Sequence, residues 1–182
     1  MTEQLHVEQI GHGPLTGGLS PDEFKLAFRN HPAGVAVITA DAGEGPVALT
    51  ATSVFSVSAE PPILVFSISD QSSSTPTIAR SATVVVHLID AEHLDIAKLG
   101  ATSGIDRFAD TSIWARLPTG EPYFTGVKQW IRGEVIDQLR AGTSTVIAVH
   151  ALEAKLTGDA VPLVYHSRTW HQLGDHSVIP AP

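Results

Sequence analysis

Residues 46–77, PVALTATSVFSVSAEPPILVFSISDQSSSTPT, decide how the rest of the chain is read. From Val47 to Val57 the odd positions are apolar except for Ser53, and the even positions through 58 carry Ala48, Thr50, Thr52, Val54, Ser56 and Ser58. A period of two marks a half-buried strand, so one strand is predicted over 47–57, with hydroxyls along one face. Pro61-Pro62 breaks the pattern. The apolar run Ile63–Phe66 that follows predicts a strand buried on both faces.

That strand leads into Ser67, Ser69, Ser72, Ser73, Ser74 and Thr75. Thr75-Pro76 has the form of a helix start, Thr as N-cap and Pro at the first helical position. A helix N-terminus beside clustered hydroxyls offers unpaired N–H groups, a positive dipole end and side-chain donors, which together suit a phosphate. A Ser-rich surface turn accounts for the same residues without any ligand.

The bulk properties narrow the function. The chain has 182 residues, 43% apolar and 16% charged, which suits one domain with a full core. Eleven basic residues against 19 acidic ones give a net charge of −8, and no basic run interrupts that balance. Nucleic acid and anionic membrane are therefore not expected as partners. The absence of cysteine excludes disulfides, thiolate zinc sites and cysteine nucleophiles. With no signal-like start and no long apolar run, a soluble cytoplasmic protein is expected.

Outward from the deciding stretch, residues 1–19 are broken by glycines and read as an N-terminal arm, 20–176 as the domain and 177–182 as a C-terminal tail. Ser20-Pro21-Asp22-Glu23 is a capping-box helix start, with Phe24, Leu26, Ala27 and Phe28 as its apolar face and an end near Asn30-His31-Pro32. Gly34–Thr39 predicts a strand, joined through the turn Asp41–Gly45 in a hairpin. Beyond the hydroxyls, the pattern predicts a short helix over 78–81, a strand over 83–89 and a helix over 91–99, capped by Asp90 and stopped by Gly100. Residues 101–126 read as a long loop. Strands follow over 130–139, over 143–156 with Val146, Ala148, His150 and Leu152 on one face, and over 162–173. Many closely spaced strands and few short helices predict a mainly β, single-domain barrel.

His166, His171 and His176 are spaced by five, so strand neighbours would face opposite sides, and no acidic residue falls at matching spacing; no metal site is expected. His87 and His150 read as satisfied core or interface residues, and Trp114 and Trp130 as packing residues. No dinucleotide fingerprint, phosphate-binding Gly-Lys loop or nucleophile elbow is present.

In order, Pro32–Thr39, Leu49–Ser58 with Pro61-Pro62, Ser73-Ser74-Thr75, Val84–Leu88, Arg107-Phe108 and Pro162–Tyr165 resemble the flavin reductase-like family with its FMN-binding split barrel, across residues 22–173. The resemblance implies an NAD(P)H-dependent flavin reductase: NADH or NADPH gives hydride to FMN or FAD, and the reduced flavin serves a partner monooxygenase. It also implies a homodimer with the flavin near the subunit interface. Thr50, Ala51, Thr52 and Ser53 would line the flavin ring and ribityl chain, and Ser67, Ser72, Ser73, Ser74 and Thr75 its phosphate end. Backbone from Pro32 through Gly34 to Val35 would approach the ring. No catalytic side chain is assigned, since the flavin carries the redox chemistry.

Two positions depart from the family pattern. Gly142-Thr143-Ser144 stands where the family commonly has Gly-Asp-His, and these three remain the nicotinamide-binding candidates. Val86-His87-Leu88 has His where Val-Asn-x-Leu is usual. The first departure keeps two other readings open: a flavin enzyme that does not use nicotinamide freely, and a non-catalytic module for flavin or another planar ligand. Tyr165 and Trp170 read as a packing pair or as flanks of a flavin or an interface.

Overall fold

The computed structural model describes residues 16–180, so 1–15 of the expected arm and 181–182 of the expected tail lie outside it. The predicted strand over 47–57 is two strands. In chain order the elements are α1 (Pro21–Arg29), β1 (Ala33–Gly34), β2 (Ala36–Ala40), β3 (Val47–Ala51), β4 (Phe55–Ala59), β5 (Pro62–Ser69) and α2 (Thr75–Arg80). Then come β6 (Thr83–Leu88), a 3-10 turn (Ala91–His93), α3 (Leu94–Ala101), β7 (Trp114–Arg116), β8 (Pro122–Phe124), β9 (Gln129–Ala141), β10 (Ser144–Leu156), β11 (Leu163–His166) and β12 (Thr169–Gln172).

Seven strands form one antiparallel sheet in the order β3-β2-β6-β9-β10-β5-β4; β1-β11-β12 and β7-β8 form smaller sheets. β3 and β4 are consecutive in the chain yet stand at opposite edges of the large sheet. From Ala51 to Phe55 the chain can reach about 14 Å at most, whereas the edge strands of a flat sheet of this size would lie about 29 Å apart. The sheet must curl until its edges approach. The closure is stitched by Ser53, whose Oγ accepts the Ser67 N–H at 3.0 Å and donates to the Ser67 carbonyl at 3.3 Å. β4 pairs with β5 only as far as Val65, so the Ser53 hydroxyl serves the backbone groups of Ser67 beyond that ladder.

β2 is buried along its whole length because its two faces serve different cores. Ala36, Ile38 and Ala40 point into the barrel with Phe66, Ile68, Val84, Val86, Ile147 and Val149. Val37 points outward, to a second cluster with Ile96, Phe108, Phe124 and Leu163. β5, expected to be buried on both faces, buries only Leu64, Phe66 and Ile68. On β10 the core face is Ile147 and Val149, so the predicted face Val146, Ala148, His150 and Leu152 is the outer one. Both registers of these strands are apolar, and periodicity alone does not choose between them.

Other expectations shift in detail. The long loop contains the β7–β8 hairpin, whose strands of three residues are too short to show alternation. α3 continues past Gly100 to Ala101; glycine is needed there for packing, since a Cβ would lie 2.4 Å from Thr50 Oγ1 on β3. Asp90 caps the 3-10 turn ahead of α3, accepting the His93 N–H at 3.1 Å. The closing segment is a hairpin, not one strand, which brings the rings of His166 and His171 to 5.7 Å from each other. No group of three His, Cys, Asp or Glu suited to a metal occurs among the described residues. Among them, no helix is long and apolar enough to cross a membrane. Trp114 packs edge-on against Phe108, and Trp130 packs tilted against Tyr123.

His87 is fully buried and fully bonded. Its Nδ1–H donates to the Val37 carbonyl at 2.9 Å, and its Nε2 accepts the Phe124 N–H at 3.1 Å, tying β6 to both β2 and β8. The second bond requires the neutral ring, because a protonated Nε2 has no lone pair to accept with. Burial pushes its pKa down from 6.5 to about 4, against the opposing pull of the Val37 carbonyl. The unfolded chain therefore takes up the proton first. Stability contributed by neutral His87 is complete above pH 6.5 and is lost as the pH falls toward about 4, at up to about 1.4 kcal/mol per pH unit. Denaturant melts at a series of pH values in that window should show this slope in the wild type and lose most of it in His87→Asn, which keeps a donor and an acceptor but does not titrate.

Candidate functional site

The site is assembled where four short segments converge. α1 begins with the predicted capping box: Ser20 Oγ accepts the Glu23 N–H at 3.3 Å and Glu23 accepts the Ser20 N–H at 2.9 Å. The helix stops at Asn30 ahead of Pro32, and the chain turns into β1, where Ala33 pairs with Tyr165 and Gly34 with Val164. Thr52–Phe55, the link that closes the barrel, runs opposite. Between them lies a cleft of roughly 880 Å³, near the upper end of the volumes typical of small-ligand sites. Phe24, Phe28 and Arg29 of α1 form one wall, Pro32–Gly34 the floor, Thr52–Phe55 the other wall and Tyr165–Arg168 the end.

Gly34 is the opening in that floor. A Cβ built on it would meet nothing within 4 Å, so a side chain there would project into free space. Gly34 and Val54 also border a smaller cleft of roughly 360 Å³, which holds Val35 and the buried carboxylate Asp90. Asp90 is held by His93, whose Nδ1 stands 2.6 Å from its Oδ1.

Of the residues singled out in the sequence, Pro32, Gly34, Thr52 and Ser53 share the large cleft, and Val35 borders the small one. Ala51 faces the barrel core. Thr50 Oγ1 donates to the Ala97 carbonyl at 2.7 Å. Ser67 reaches the cleft through its bonds to Ser53. Ser72–Thr75 form a separate turn. Ser74 is the N-cap of α2 in place of Thr75, in helical conformation and without a side-chain cap bond. Ser74 Oγ donates to the Ala48 carbonyl at 2.8 Å and Thr75 Oγ1 to the Ser69 carbonyl at 2.6 Å. A hydroxyl has one proton to donate, so at this turn Ser74 and Thr75 are committed to backbone and Ser72 and Ser73 are the hydroxyls with a proton to spare. The tip Gly142–Ser144 of the β9–β10 hairpin lies beside the turn, its Thr143 carbonyl accepting the Asp70 N–H at 3.0 Å.

Arg107 adds a charge that the hydroxyl pattern did not announce. Its Nη2 donates to the Thr102 carbonyl at 2.6 Å and its Nη1 reaches Ser74 Oγ at 3.4 Å, while its Nε is buried with no partner. Burial draws its pKa below the usual guanidinium range, and no carboxylate lies within 4.0 Å of it among the described residues. A half-buried cation with an unfilled donor, next to a hydroxyl turn, is chemically disposed toward an anion. Tyr165, read as a packing residue or a flavin flank, lines the cleft, whereas Phe24, Phe28 and Arg168 were missed as site residues. The two phenylalanines read as core-facing, and nothing in the sequence marks the tight turn that presents Arg168.

The sequence family fits this geometry: the family model described as the flavin reductase like domain matches residues 28–174. The chain belongs to that family. It is 39% identical over 163 residues to the NADH:FMN oxidoreductase of Rhodococcus qingshengii, covering 87% of this chain and 84% of that one. The crystal structure of a flavin reductase domain protein from Arthrobacter sp. FB24 superposes with a TM-score of 0.80 at 33% identity, over 88% of this chain and 97% of that one. BorF, the flavin reductase component of a bacterial two-component tryptophan halogenase, gives 0.77 at 25% identity over 86% and 99%.

The bonding of the two serines makes them structural. Ser53→Ala should strip both Ser67 backbone groups of their partner, and Ser74→Ala should orphan the Ala48 carbonyl. Each is expected to lower unfolding free energy by about 1–3 kcal/mol, measured by denaturant melts.

Proposed function

We propose that the chain is an NAD(P)H:flavin oxidoreductase whose flavin ring lies over Gly34, against Thr52–Ser53 and the aromatic wall of the large cleft. The observation that carries this reading is the open floor at Gly34, found in a chain that belongs to the flavin reductase-like family. A bound flavin supplies the redox chemistry, taking hydride from the nicotinamide and carrying it onward. The protein's part is placement. Pro32–Val35 bring backbone to the ring, and Thr52 and Ser53 border the ring and ribityl chain, with Thr50 and Ala51 turned to α3 and the barrel core behind them. Ser67 with Ser72–Thr75 shapes the phosphate end, where Arg107 offers charge and the free hydroxyls of Ser72 and Ser73 offer donors. No side chain is assigned a proton-transfer role.

FMN with NADH is the favoured pair, supported by the name of the Rhodococcus relative. Gly142–Ser144 lie beside the phosphate-end turn, and the backbone and hydroxyls there can still bond a carboxamide without the family's Asp and His. Delivery of reduced flavin to a separate oxygenase component is supported by the role printed for BorF, a component of a two-component halogenase. A homodimer is supported by surface chemistry: none of the nine residues of α1 is buried, and Val57 on β4 and Leu152 on β10 add exposed apolar area on the outer sheet face. A cytoplasmic location fits the absence of cysteine.

Mixing the purified protein with FMN and NADH should bleach the NADH absorbance band; no loss with either nicotinamide, with FMN or FAD, would remove the reading. Gly34→Val should fold with a little-changed melting temperature, because a Cβ at this position has no protein atom within 4 Å, yet bind FMN at least about tenfold more weakly in a fluorescence-quenching titration.

A further inference from the structure

The far end of the large cleft carries a charge pattern that the flavin reading does not use. Six of the eleven Lys and Arg side chains are paired with carboxylates. Of the other five, Arg29 and Arg168 both line this cleft, in a chain whose net charge is −8. Neither makes a side-chain hydrogen bond or an ion pair among the described residues. His31 and His166 stand on the same rim, and Phe24, Phe28 and Tyr165 line the walls nearby.

The backbone is strained to hold this arrangement. The β11–β12 hairpin turns on Ser167 and Arg168, with φ of 49° and 63°, two successive left-handed residues neither of which is glycine. Such a turn prefers Asn-Gly, and each bulky residue placed there is disfavoured. The Ser167 N–H donates to the Arg29 carbonyl at 3.1 Å, so the turn is fastened to the C-terminal end of α1 and Arg168 is held close in the fold to Arg29, with which it lines the cleft. Strain retained at the mouth of a large cleft is a mark of use. Two unpaired guanidiniums, with aromatic faces beside them, suit the diphosphate and base of a nucleotide. The cleft is also large enough to admit more than a flavin ring.

We propose that Arg29 and Arg168 form the subsite for the diphosphate of the nicotinamide dinucleotide, separate from the flavin phosphate end at Ser72–Thr75 and Arg107. This assignment rests on the flavin reductase reading for the identity of its ligand. The strained turn presents Arg168, and a glycine would suit the backbone better but leave the anion unmatched.

The test uses adenosine diphosphate as probe for the diphosphate alone, FMN and FAD for the flavin, and NADH for turnover. Arg29→Gln and Arg168→Gly should each weaken calorimetric binding of adenosine diphosphate by about tenfold, and raise the KM for NADH by a similar factor with kcat little changed. Affinities for FMN and FAD should stay at the wild-type value. Arg168→Gly should melt about 2–4 °C higher than the wild type, so its lost binding cannot come from misfolding. The inference is overturned if the wild type does not bind adenosine diphosphate, if the folded variants bind it unchanged, or if only FMN or FAD affinity falls. A wild type that binds adenosine diphosphate through these arginines but never oxidises NADH would sink the reductase reading and with it the dinucleotide as the ligand. Wild-type turnover with unaffected variants would sink the subsite alone.

Discussion

The architecture depends on one short tether. Thr52–Val54 joins β3 to β4 across opposite edges of a seven-stranded sheet, and no flat sheet satisfies that connection. Curling brings the edges together, and Ser53 completes the closure with its hydroxyl where the β4–β5 ladder has ended. The same three residues form a wall of the cleft. Fold closure and ligand placement are thus properties of one segment, and a change there acts on both.

Around this seam, polar groups are used sparingly and mostly for structure. His87 supplies a ring that reaches both Val37 and Phe124, locking the β7–β8 hairpin onto the barrel. Glu121 and Arg132, both largely buried, pair at 2.8 Å. Against this background Arg107, Arg29 and Arg168 stand out as guanidiniums that pair with no carboxylate among the described residues. Uncompensated charge on an acidic chain is costly where it is desolvated and useful where an anionic substrate must be drawn in.

Much of the fold was legible because its signals are local. The capping box at Ser20, the hairpin turn at Asp41–Gly45 and the strand at 83–88 each follow from a few adjacent residues. The errors share a cause. The alternation from Val47 to Val57 is real on both sides of Ser53, but periodicity does not register that the chain leaves one edge of a sheet and joins the other. β5 offered two apolar faces, and only tertiary packing selects the inner one. Within the site, residue type pointed to hydroxyls, yet Ser74 and Thr75 have already given their protons to backbone carbonyls. Arg107, Arg168 and the paired phenylalanines of α1 were not legible as a site, because their proximity is set by β1, the β11–β12 turn and the loop before β7.

α1 has nine residues, its own capping box and no buried side chain. A helix of that length is marginal in water by itself, and Phe24 and Phe28 are exposed on it, so a ligand that covers those rings would add to its order. Occupancy of the cleft and the helix–coil balance of this wall are then one equilibrium seen from two sides. Association there carries an ordering entropy that a rigid pocket would not, and the amide protons of α1 become a gauge of how full the cleft is.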